Sequence, residues 1–217
     1  MKRRALLAAA VAVLLAGPAL AQTREPAPAP PSATPAPAGP RVEIVTPHGR
    51  IVVEAYPDKA PITAGNFLKY VDRKLYDGAT IYRASRPPNA VDYGMIQGGF
   101  NDVPGKKLAP IAHEPTTKTG LSHTDGAVSF GRFAPGTATS EFFICVGDQT
   151  YLDANPTAKG DNQGFAAFGK VVEGMDVVKK ILALPTSPTA GSAVMKGSIL
   201  MKPVPITRAR RVTAPAA

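Results

Sequence analysis

The sequence contains very little cysteine and no tryptophan. Cys145 is the only cysteine among 217 residues, so an intramolecular disulfide is excluded and stability must come from packing. Aromatic residues make up 6% of the chain, whereas there are 23 prolines and 20 glycines. This composition is typical of a fold with many turns and short strands. A hydrophobic fraction of 44% is still enough for one folded domain with extensions.

The chain also lacks the patterns that zinc helices and serine hydrolases use. His48, His113 and His123 do not have the i, i+4 spacing of a zinc-binding helix, and we expect structural or solvated roles for them. Ser140 is not part of a Gly-x-Ser-x-Gly turn, so a serine hydrolase is unsupported. Cys145 lies within an apolar run, which predicts a buried, unreactive thiol. No metal or other cofactor is expected.

The N-terminus has the composition of a secretory signal. Basic residues at positions 2–4 precede the apolar run 5–16, and an Ala-Leu-Ala cleavage site ends at Ala21. The apolar run is shorter than the roughly 20 residues that span a bilayer. Residues 1–21 are therefore predicted to be removed and the protein to be exported to the periplasm. Secretion, or tethering to the membrane through an uncleaved signal, is the alternative.

Two further segments are predicted to be unfolded extensions of a single domain. Residues 22–40 consist largely of proline and alanine, which predicts an extended linker with little to bury. Residues 208–217 contain three arginines followed by a Pro/Ala stretch and are predicted to be a basic, solvated tail. The folded domain is therefore expected to comprise residues 41–207.

The charge of the chain does not indicate a nucleic-acid partner. Removing the signal leaves 22 basic and 16 acidic residues, a net charge of about +6 instead of +9. The core has no basic stripe interleaved with aromatic residues, which nucleic-acid-binding surfaces usually show. We expect a monomer that binds no nucleic acid and has no stable membrane span once the signal is removed.

Hydrophobic periodicity predicts many short strands and only two helices. The β-branched runs 41–46 and 50–56 flank a Pro-His-Gly turn and predict a hairpin. Apolar residues at helical spacing predict one helix after Pro61 and another near residues 175–182. Further strands are predicted to start at Ile81 and to cover 94–97, 127–130, 142–146, 165–172 and 199–206. The fold class is therefore mainly β, a closed antiparallel β-barrel capped by two helices.

Three short motifs occur in an order and spacing that identify a resemblance. They are Ile81-Tyr82-Arg83, the segment Gly94-Met95-Ile96-Gln97-Gly98-Gly99, and Ser140-Glu141-Phe142-Phe143-Ile144-Cys145. The chain from Arg41 to Ile206 resembles a cyclophilin peptidyl-prolyl isomerase, and Val128 to Phe143 matches the family segment without a gap. The resemblance implies a barrel that accelerates cis–trans exchange at X-Pro bonds in proline-containing polypeptide clients and assists their folding, without a cofactor.

The resemblance also implies roles for individual residues. Arg83 takes the place of the catalytic arginine, and Gln97 that of the amide which holds the peptide backbone of the substrate. Arginine stays protonated and cannot act as a base, so its contribution must be electrostatic. The substrate-binding positions implied by the resemblance are Met95, Gly131, Arg132, Glu141, Phe143, Tyr151, Leu152 and Phe165. Tyr151 and Phe165 stand where many eukaryotic members have Trp and His. Such aromatic replacements are typical of bacterial members and imply weak cyclosporin binding.

The chain departs from the family pattern at several places. Residues 84–93 lengthen the connection between Arg83 and Gln97 and predict an extra loop near the active face. Gly94 replaces a usual Phe, which removes one wall of the proline pocket unless Tyr93 or the loop supplies it. Glu141 replaces a usual Gln. Its carboxylate is expected near Arg83, where it either orients the guanidinium or competes for it.

Two hypotheses follow from these departures. Arg132 replaces a small polar residue, which predicts extra positive charge beside the substrate groove and a preference for acidic client segments. Gly94, Glu141 and the insertion also leave room for a second function, a proline-peptide binding or chaperone module with weak or no isomerase turnover. Retention of both Arg83 and Gln97 favours the enzyme.

Overall fold

The described part of the chain is built mainly from antiparallel strands. The computed structural model describes residues 39–90, 92–100 and 105–213, so the predicted signal and most of the predicted linker lie outside it. The strands are β1 (Arg41–Thr46), β2 (Gly49–Ala55), β3 (Thr80–Ser85), β4 (Gly94–Gly99), β5 (Ala127–Phe130), β6 (Phe142–Val146), β7 (Ala166–Glu173), β8 (Ile199–Pro205) and β9 (Arg208–Val212). The α-helices are α1 (Pro61–Asp72), α2 (Thr116–Thr119) and α3 (Met175–Leu182), and Thr150–Leu152 and Ala193–Met195 form single 3-10 turns.

The strands of the described residues form one curled sheet. Their order is β8-β3-β4-β6-β5-β7-β2-β1-β9, and the strand pairs are antiparallel. The two edge strands follow each other in the chain. Between them, Ile206 N–H donates to Ala79 O at 2.8 Å and Thr207 N–H donates to Val45 O at 2.9 Å. The chain itself therefore joins the two edges, and the prediction of a mainly β, antiparallel barrel is confirmed.

Alternation along the strands separates two apolar clusters. On β6, Phe142 and Ile144 belong to the main core, whereas Phe143 and Cys145 belong to a smaller cluster on the opposite face of the sheet. Phe67 of α1 packs edge-on against Phe142 with ring centroids 6.1 Å apart. Burial of such a ring stabilises the fold by about 1.5–3 kcal/mol. We call the face that carries the smaller cluster the site face.

The two predicted helices are present, with one additional turn. α1 begins with Pro61 at its first helical position, where proline needs no hydrogen-bond partner for its nitrogen. α3 buries Val178, Ile181 and Leu182, which lie at the predicted helical spacing. The short helix α2 was not predicted, because its four polar residues carry no apolar periodicity.

The prediction of a solvated tail from residue 208 is wrong for Arg208–Val212. These residues form β9, which pairs along β1 from Val45↔Arg208 to Arg41↔Val212. The arginines of β9 pair with acidic side chains of earlier elements: Arg208 with Glu43 at 2.9 Å, Arg210 with Asp77 at 2.6 Å and Arg211 with Asp72 at 2.7 Å. The folded domain therefore extends at least to Val212 and not only to residue 207.

Candidate active site

A row of residues crosses neighbouring strands on the site face. Arg83 on β3 lies opposite Gln97 on β4, and Gln97 lies opposite Phe143 on β6. Strands in a sheet are roughly 4.8 Å apart, so the backbones of Arg83 and Phe143 are separated by about 10 Å. The fold thus brings together the arginine, the amide and an aromatic residue that the sequence motifs predicted.

A β-bulge in β3 directs two consecutive side chains to this row. Ile81 and Ala84 both belong to the main core, and the register with β4 shifts between Ile81 and Arg83. Successive strand residues normally point to opposite faces, but a bulge re-aims them. Arg83 Nη1 donates to Gln97 Oε1 at 2.9 Å, and Gln97 Nε2 donates to the Tyr82 hydroxyl at 2.8 Å. Sequence reasoning missed Tyr82, since the bulge leaves no signal in the sequence.

The guanidinium of Arg83 is fixed on its other side by the segment before β8. Nε donates to Ser198 Oγ at 3.0 Å, and Nη2 donates to Val194 O at 3.2 Å. Burial lowers the pKa of Arg83 from its ordinary value, yet that value is so high that the group stays charged at neutral pH. Three of its five N–H donors are used by partners in the described part of the chain.

The Glu141 carboxylate lies at the end of the same network. Its Oε2 accepts a hydrogen bond from the Tyr82 hydroxyl at 2.7 Å, and its Oε1 accepts one from Phe100 N–H at 2.9 Å. These contacts connect Glu141 to Arg83 through Tyr82 and Gln97. The carboxylate thus orients the guanidinium indirectly, through two intermediate side chains.

An apolar cluster lies beside Gln97 on the site face. We call it the apolar seat; it consists of Met95, Ala127, Phe143, Cys145, Leu152 and Phe165. The Phe143 and Phe165 rings meet edge-on with centroids 5.5 Å apart. Burial raises the pKa of the Cys145 thiol to about 12, which agrees with the predicted unreactive thiol. Four predicted substrate-binding residues, Met95, Phe143, Leu152 and Phe165, are therefore in one cluster.

A buried polar cluster supports Phe143. The His123 ring stacks on the Phe143 ring at 5.8 Å, its Nδ1 lies 2.5 Å from Asp153 Oδ1, and its Nε2 lies 3.0 Å from Ser129 Oγ. Burial lowers the pKa of His123, and the Asp153 carboxylate opposes that effect. Ser129 is fully buried. The Asp-His-Ser arrangement therefore holds the seat in place and is not accessible as a hydrolytic nucleophile.

Gly131 and Arg132 lie at the edge of the seat. Gly131 N–H donates to Glu141 O at 2.7 Å. The Arg132 guanidinium contacts Asp161 at 2.5 Å and lies 5.3 Å from the centre of the Phe165 ring, and its side chain is only 4% exposed. The positive charge predicted at Arg132 is therefore paired with Asp161 and largely buried, which argues against a strong effect of this charge on the choice of client.

The insertion begins later than expected and does lie near the seat. β3 continues through Ser85, which pairs with Met95, so the extra loop begins at Arg86. Gly94 has a φ of +144°, and a Cβ there would be 2.3 Å from Ser85 O. A phenylalanine cannot occupy this position with this backbone, which explains the glycine. Tyr151, 68% exposed, lies between the loop and the seat.

The described residues contain no group of three or more His, Cys, Asp or Glu side chains that could hold a metal ion. The chemistry that the site offers comes from a fixed guanidinium, an oriented amide and an apolar seat. Such a site suits a reaction that changes the charge distribution of an amide without breaking a covalent bond.

An antiparallel barrel with this site on its outer face defines a prolyl isomerase of the cyclophilin class. The family described as "Cyclophilin type peptidyl-prolyl cis-trans isomerase/CLD" matches residues 41–210, and the chain belongs to this family. It is 43% identical over 150 residues to a peptidyl-prolyl cis-trans isomerase of Acinetobacter baylyi, covering 67% of this chain and 73% of that one. Identity to peptidyl-prolyl cis-trans isomerase B of Escherichia coli is 37%, covering 65% and 83%.

A solved structure shares the fold. The cyclophilin type peptidyl-prolyl cis-trans isomerase of Cryptosporidium parvum, crystallised in the presence of the dipeptide Ala-Pro, superposes with a TM-score of 0.61 and 18% sequence identity. The match covers 80% of this chain and 99% of that one. The chain is thus a peptidyl-prolyl cis-trans isomerase by family and has the fold of a cyclophilin.

Proposed function

We propose that this isomerase accelerates rotation about X-Pro bonds in exported polypeptides, with Arg83 as the group that stabilises the twisted state. The observation that carries the proposal is the hydrogen bond from Arg83 to Gln97 in the row that ends at the apolar seat. A charged donor, an amide and a seat for a proline ring thus lie on one face of three neighbouring strands.

The reaction requires stabilisation of a twisted amide. Rotation about the peptide bond has a barrier of about 18–20 kcal/mol, whereas the two X-Pro isomers differ by only about 0.5–1 kcal/mol. Twisting ends the resonance of the amide and leaves a lone pair on the prolyl nitrogen, which then accepts a hydrogen bond. A donor that meets the nitrogen only in this state lowers the barrier without favouring either isomer.

Arg83 and Gln97 divide the polar contacts. Arg83 keeps two N–H donors beyond those used by Gln97, Val194 and Ser198 within the described part of the chain, and these can reach the prolyl nitrogen. Gln97 gives its oxygen to Arg83 and one N–H to Tyr82, which leaves its second N–H for a substrate carbonyl. The proline ring occupies the apolar seat, where Met95, Phe143 and Leu152 exclude water.

A protease-coupled assay with a cis-prolyl peptide tests this assignment. Arg83→Ala is expected to reduce kcat/KM by about 10²–10³-fold, the usual effect of removing a donor to a developing charge. Arg83→Lys is expected to restore little, because lysine lacks the planar set of donors that Gln97 and Ser198 hold in place. Arg50→Ala serves as the matched control, since Arg50 is an exposed arginine on β2.

The same assay separates the enzyme from a binding module. If the wild-type chain binds the peptide, as seen by shifts of the peptide resonances, but does not speed its isomerisation, the binding or chaperone function is correct instead. If Arg83→Ala retains full turnover, Arg83 is not the catalytic group.

Export is a part of the proposal that rests on the sequence of residues 1–21 alone. In the part of the chain that the structure describes, no helix is both long and apolar enough to cross a bilayer. Expression of the full chain in a Gram-negative host, followed by cell fractionation and N-terminal sequencing, tests it. A mature protein that begins at Gln22 in the periplasmic fraction is expected, and an intact N-terminus in the cytoplasm would contradict export.

A further inference from the structure

The inserted loop forms a cavity beside the apolar seat. Its volume is about 280 Å³, and it is lined by Ser85, Arg86, Pro87, Tyr93, Gly94, Met95, Gln149 and Tyr151. Sites for whole drug-sized ligands measure roughly 300–1,000 Å³. This cavity, which we call the flank pocket, lies at the lower end of that range and has room for one side chain of a client.

Three polar side chains around the flank pocket already have hydrogen-bond partners. Gln149 Nε2 donates to Gly94 O at 2.5 Å, and the Tyr151 hydroxyl donates to Gln149 Oε1 at 2.9 Å. The Arg86 guanidinium donates to the carbonyls of Leu182 and Leu184. Besides the hydroxyls of Ser85 and Tyr93, the lining offers a ligand the two tyrosine rings, Pro87 and Met95, and these apolar surfaces favour an apolar side chain.

The flank pocket adjoins the apolar seat. Met95 lines the pocket and also packs into the seat. Tyr151 also lines the pocket, and its hydroxyl lies near Arg83. Burial raises the pKa of Tyr151 and lowers the pKa of Arg83, and the charge of each group opposes the shift of the other. One residue of extended chain spans about 3.3–3.6 Å, so a residue next to a proline in the seat can place its side chain in the flank pocket.

We propose that the flank pocket binds an apolar side chain, such as leucine or phenylalanine, of the client residue that adjoins the isomerised proline on the side away from Gly131. This inference rests on the proposed position of the proline in the seat. Gly94 makes the pocket possible, because any Cβ at this position would meet the backbone of Ser85. The insertion thereby replaces a filled wall of the seat by a second, selective subsite.

The experiment uses peptides that differ only in the residue before or after proline, each position being Ala, Leu, Phe, Asp or Lys. The wild-type chain is expected to show a kcat/KM about tenfold higher for Leu or Phe than for Ala at one of the two positions, which is the usual selectivity of an apolar pocket. In Tyr93→Ala the ratio of kcat/KM for Leu or Phe to that for Ala is expected to lie between about one and two, whereas Tyr93→Phe keeps the wild-type ratio. Met201→Ala, which truncates an exposed apolar side chain on β8, is the matched control and keeps the ratio.

The outcomes distinguish the pocket from the enzyme. If the wild type turns over the Ala peptide but shows no preference at either position, the flank pocket is not a subsite, while the isomerase function stands. An apolar preference that persists unchanged in Tyr93→Ala also overturns the inference. A wild-type chain that accelerates none of the peptides overturns the proposed function and this inference with it.

Discussion

Arg83 acts at the residue scale as one member of a hydrogen-bonded chain. Glu141 accepts from Tyr82, Tyr82 accepts from Gln97, and Gln97 accepts from Arg83. Each hydroxyl and amide in this chain has one orientation that satisfies both neighbours, so the Gln97 amide cannot rotate without losing two bonds. The carboxylate thus fixes the direction in which the guanidinium presents its remaining donors.

Replacing Tyr82 by phenylalanine tests this chain. Tyr82→Phe removes the hydroxyl that holds Gln97 and donates to Glu141, while its ring stays in place. We expect kcat/KM to fall about fivefold, since one net hydrogen bond contributes about 0.5–1.5 kcal/mol. The coupled assay measures the effect, and Tyr56→Phe, outside the row, serves as the control. Equal activity in Tyr82→Phe and the wild type would show that Gln97 needs no such support.

His123 makes a second prediction at this scale, concerning stability and pH. Burial lowers the pKa of His123 below its ordinary 6.5, so as the pH falls the unfolded chain takes up a proton at this ring before the folded chain does. Its contribution to stability is complete above pH 6.5 and is lost as the pH falls from there through the folded pKa, by up to about 1.4 kcal/mol per pH unit.

Urea unfolding at pH 8, 6.5 and 5.5 measures this loss. The wild type and His48→Gln are expected to lose stability together over this range, whereas His123→Gln, which cannot titrate at this position, has a flatter profile. The comparison concerns the slope, because His123→Gln also loses contacts to Asp153 and Ser129 at every pH. Parallel slopes in all three proteins would contradict a neutral, buried His123.

Short motifs predicted the side chains that face the substrate but not the residues that hold those side chains in place. Arg83, Gln97 and the residues of the seat stand in motifs whose order is visible in the sequence. Tyr82 was missed because the bulge is a tertiary feature, and Ser198 because it lies more than a hundred residues beyond Arg83. The ion pair of Arg132 was not foreseen, because its partner Asp161 belongs to a loop with no regular pattern.

At the scale of elements, α1 depends on a carboxylate from a distant loop. Glu114 is fully buried, and its Oε2 accepts from both Thr63 N–H and Thr63 Oγ at 2.7 Å. The first turn of a helix has N–H groups without helical partners, and a side-chain acceptor there stabilises the helix. The acceptor usually comes from the residue just before the helix. Here it comes from the chain 51 residues further on.

Variants of Glu114 test this capping contact. Glu114→Ala leaves the Thr63 donors without an acceptor and opens a void, so we expect a loss of about 2–3 kcal/mol in the free energy of unfolding. Glu114→Gln keeps an acceptor and nearly the same volume, so its loss is expected to stay within about 1 kcal/mol. Urea unfolding at neutral pH measures both. Equal losses in the two variants would mean that the contact to Thr63 contributes nothing.

The elements themselves were predictable to different degrees. Strands with alternating or continuous apolar residues, such as β5 and β6, were placed at the correct residues, because burial requires this pattern. β9 was missed because its sequence, Arg-Ala-Arg-Arg-Val, buries only Ala209 fully. An edge strand gains most of its stability from backbone pairing, which any sequence can supply. Its acidic partners lie more than 130 residues earlier and could not be identified from the sequence.

At the scale of the molecule, β9 completes the barrel. It pairs with β1 at one edge of the sheet, while β8 pairs with β3 at the other edge, and the chain between them is only two residues long. α1 also packs against β9. Loss of β9 would expose the free edge of β1 and one side of α1, both of which contribute to the main core.

Ending the chain at Thr207 tests whether closure of the barrel stabilises the whole domain. The truncated chain is expected to lose at least about 3 kcal/mol, because it loses the β1 pairing and the buried Ala209, and its Tm is expected to fall by roughly 6–12 °C. Arg211→Ala separates strand pairing from ion pairing: its bond to Asp72 is largely exposed, so its loss is expected to stay within about 1 kcal/mol. Calorimetry of the three chains gives the comparison. If the truncated chain had the same Tm as the full chain, β9 would lie on the barrel without stabilising it. If Arg211→Ala had the same low Tm as the truncated chain, the stability would come from the ion pair.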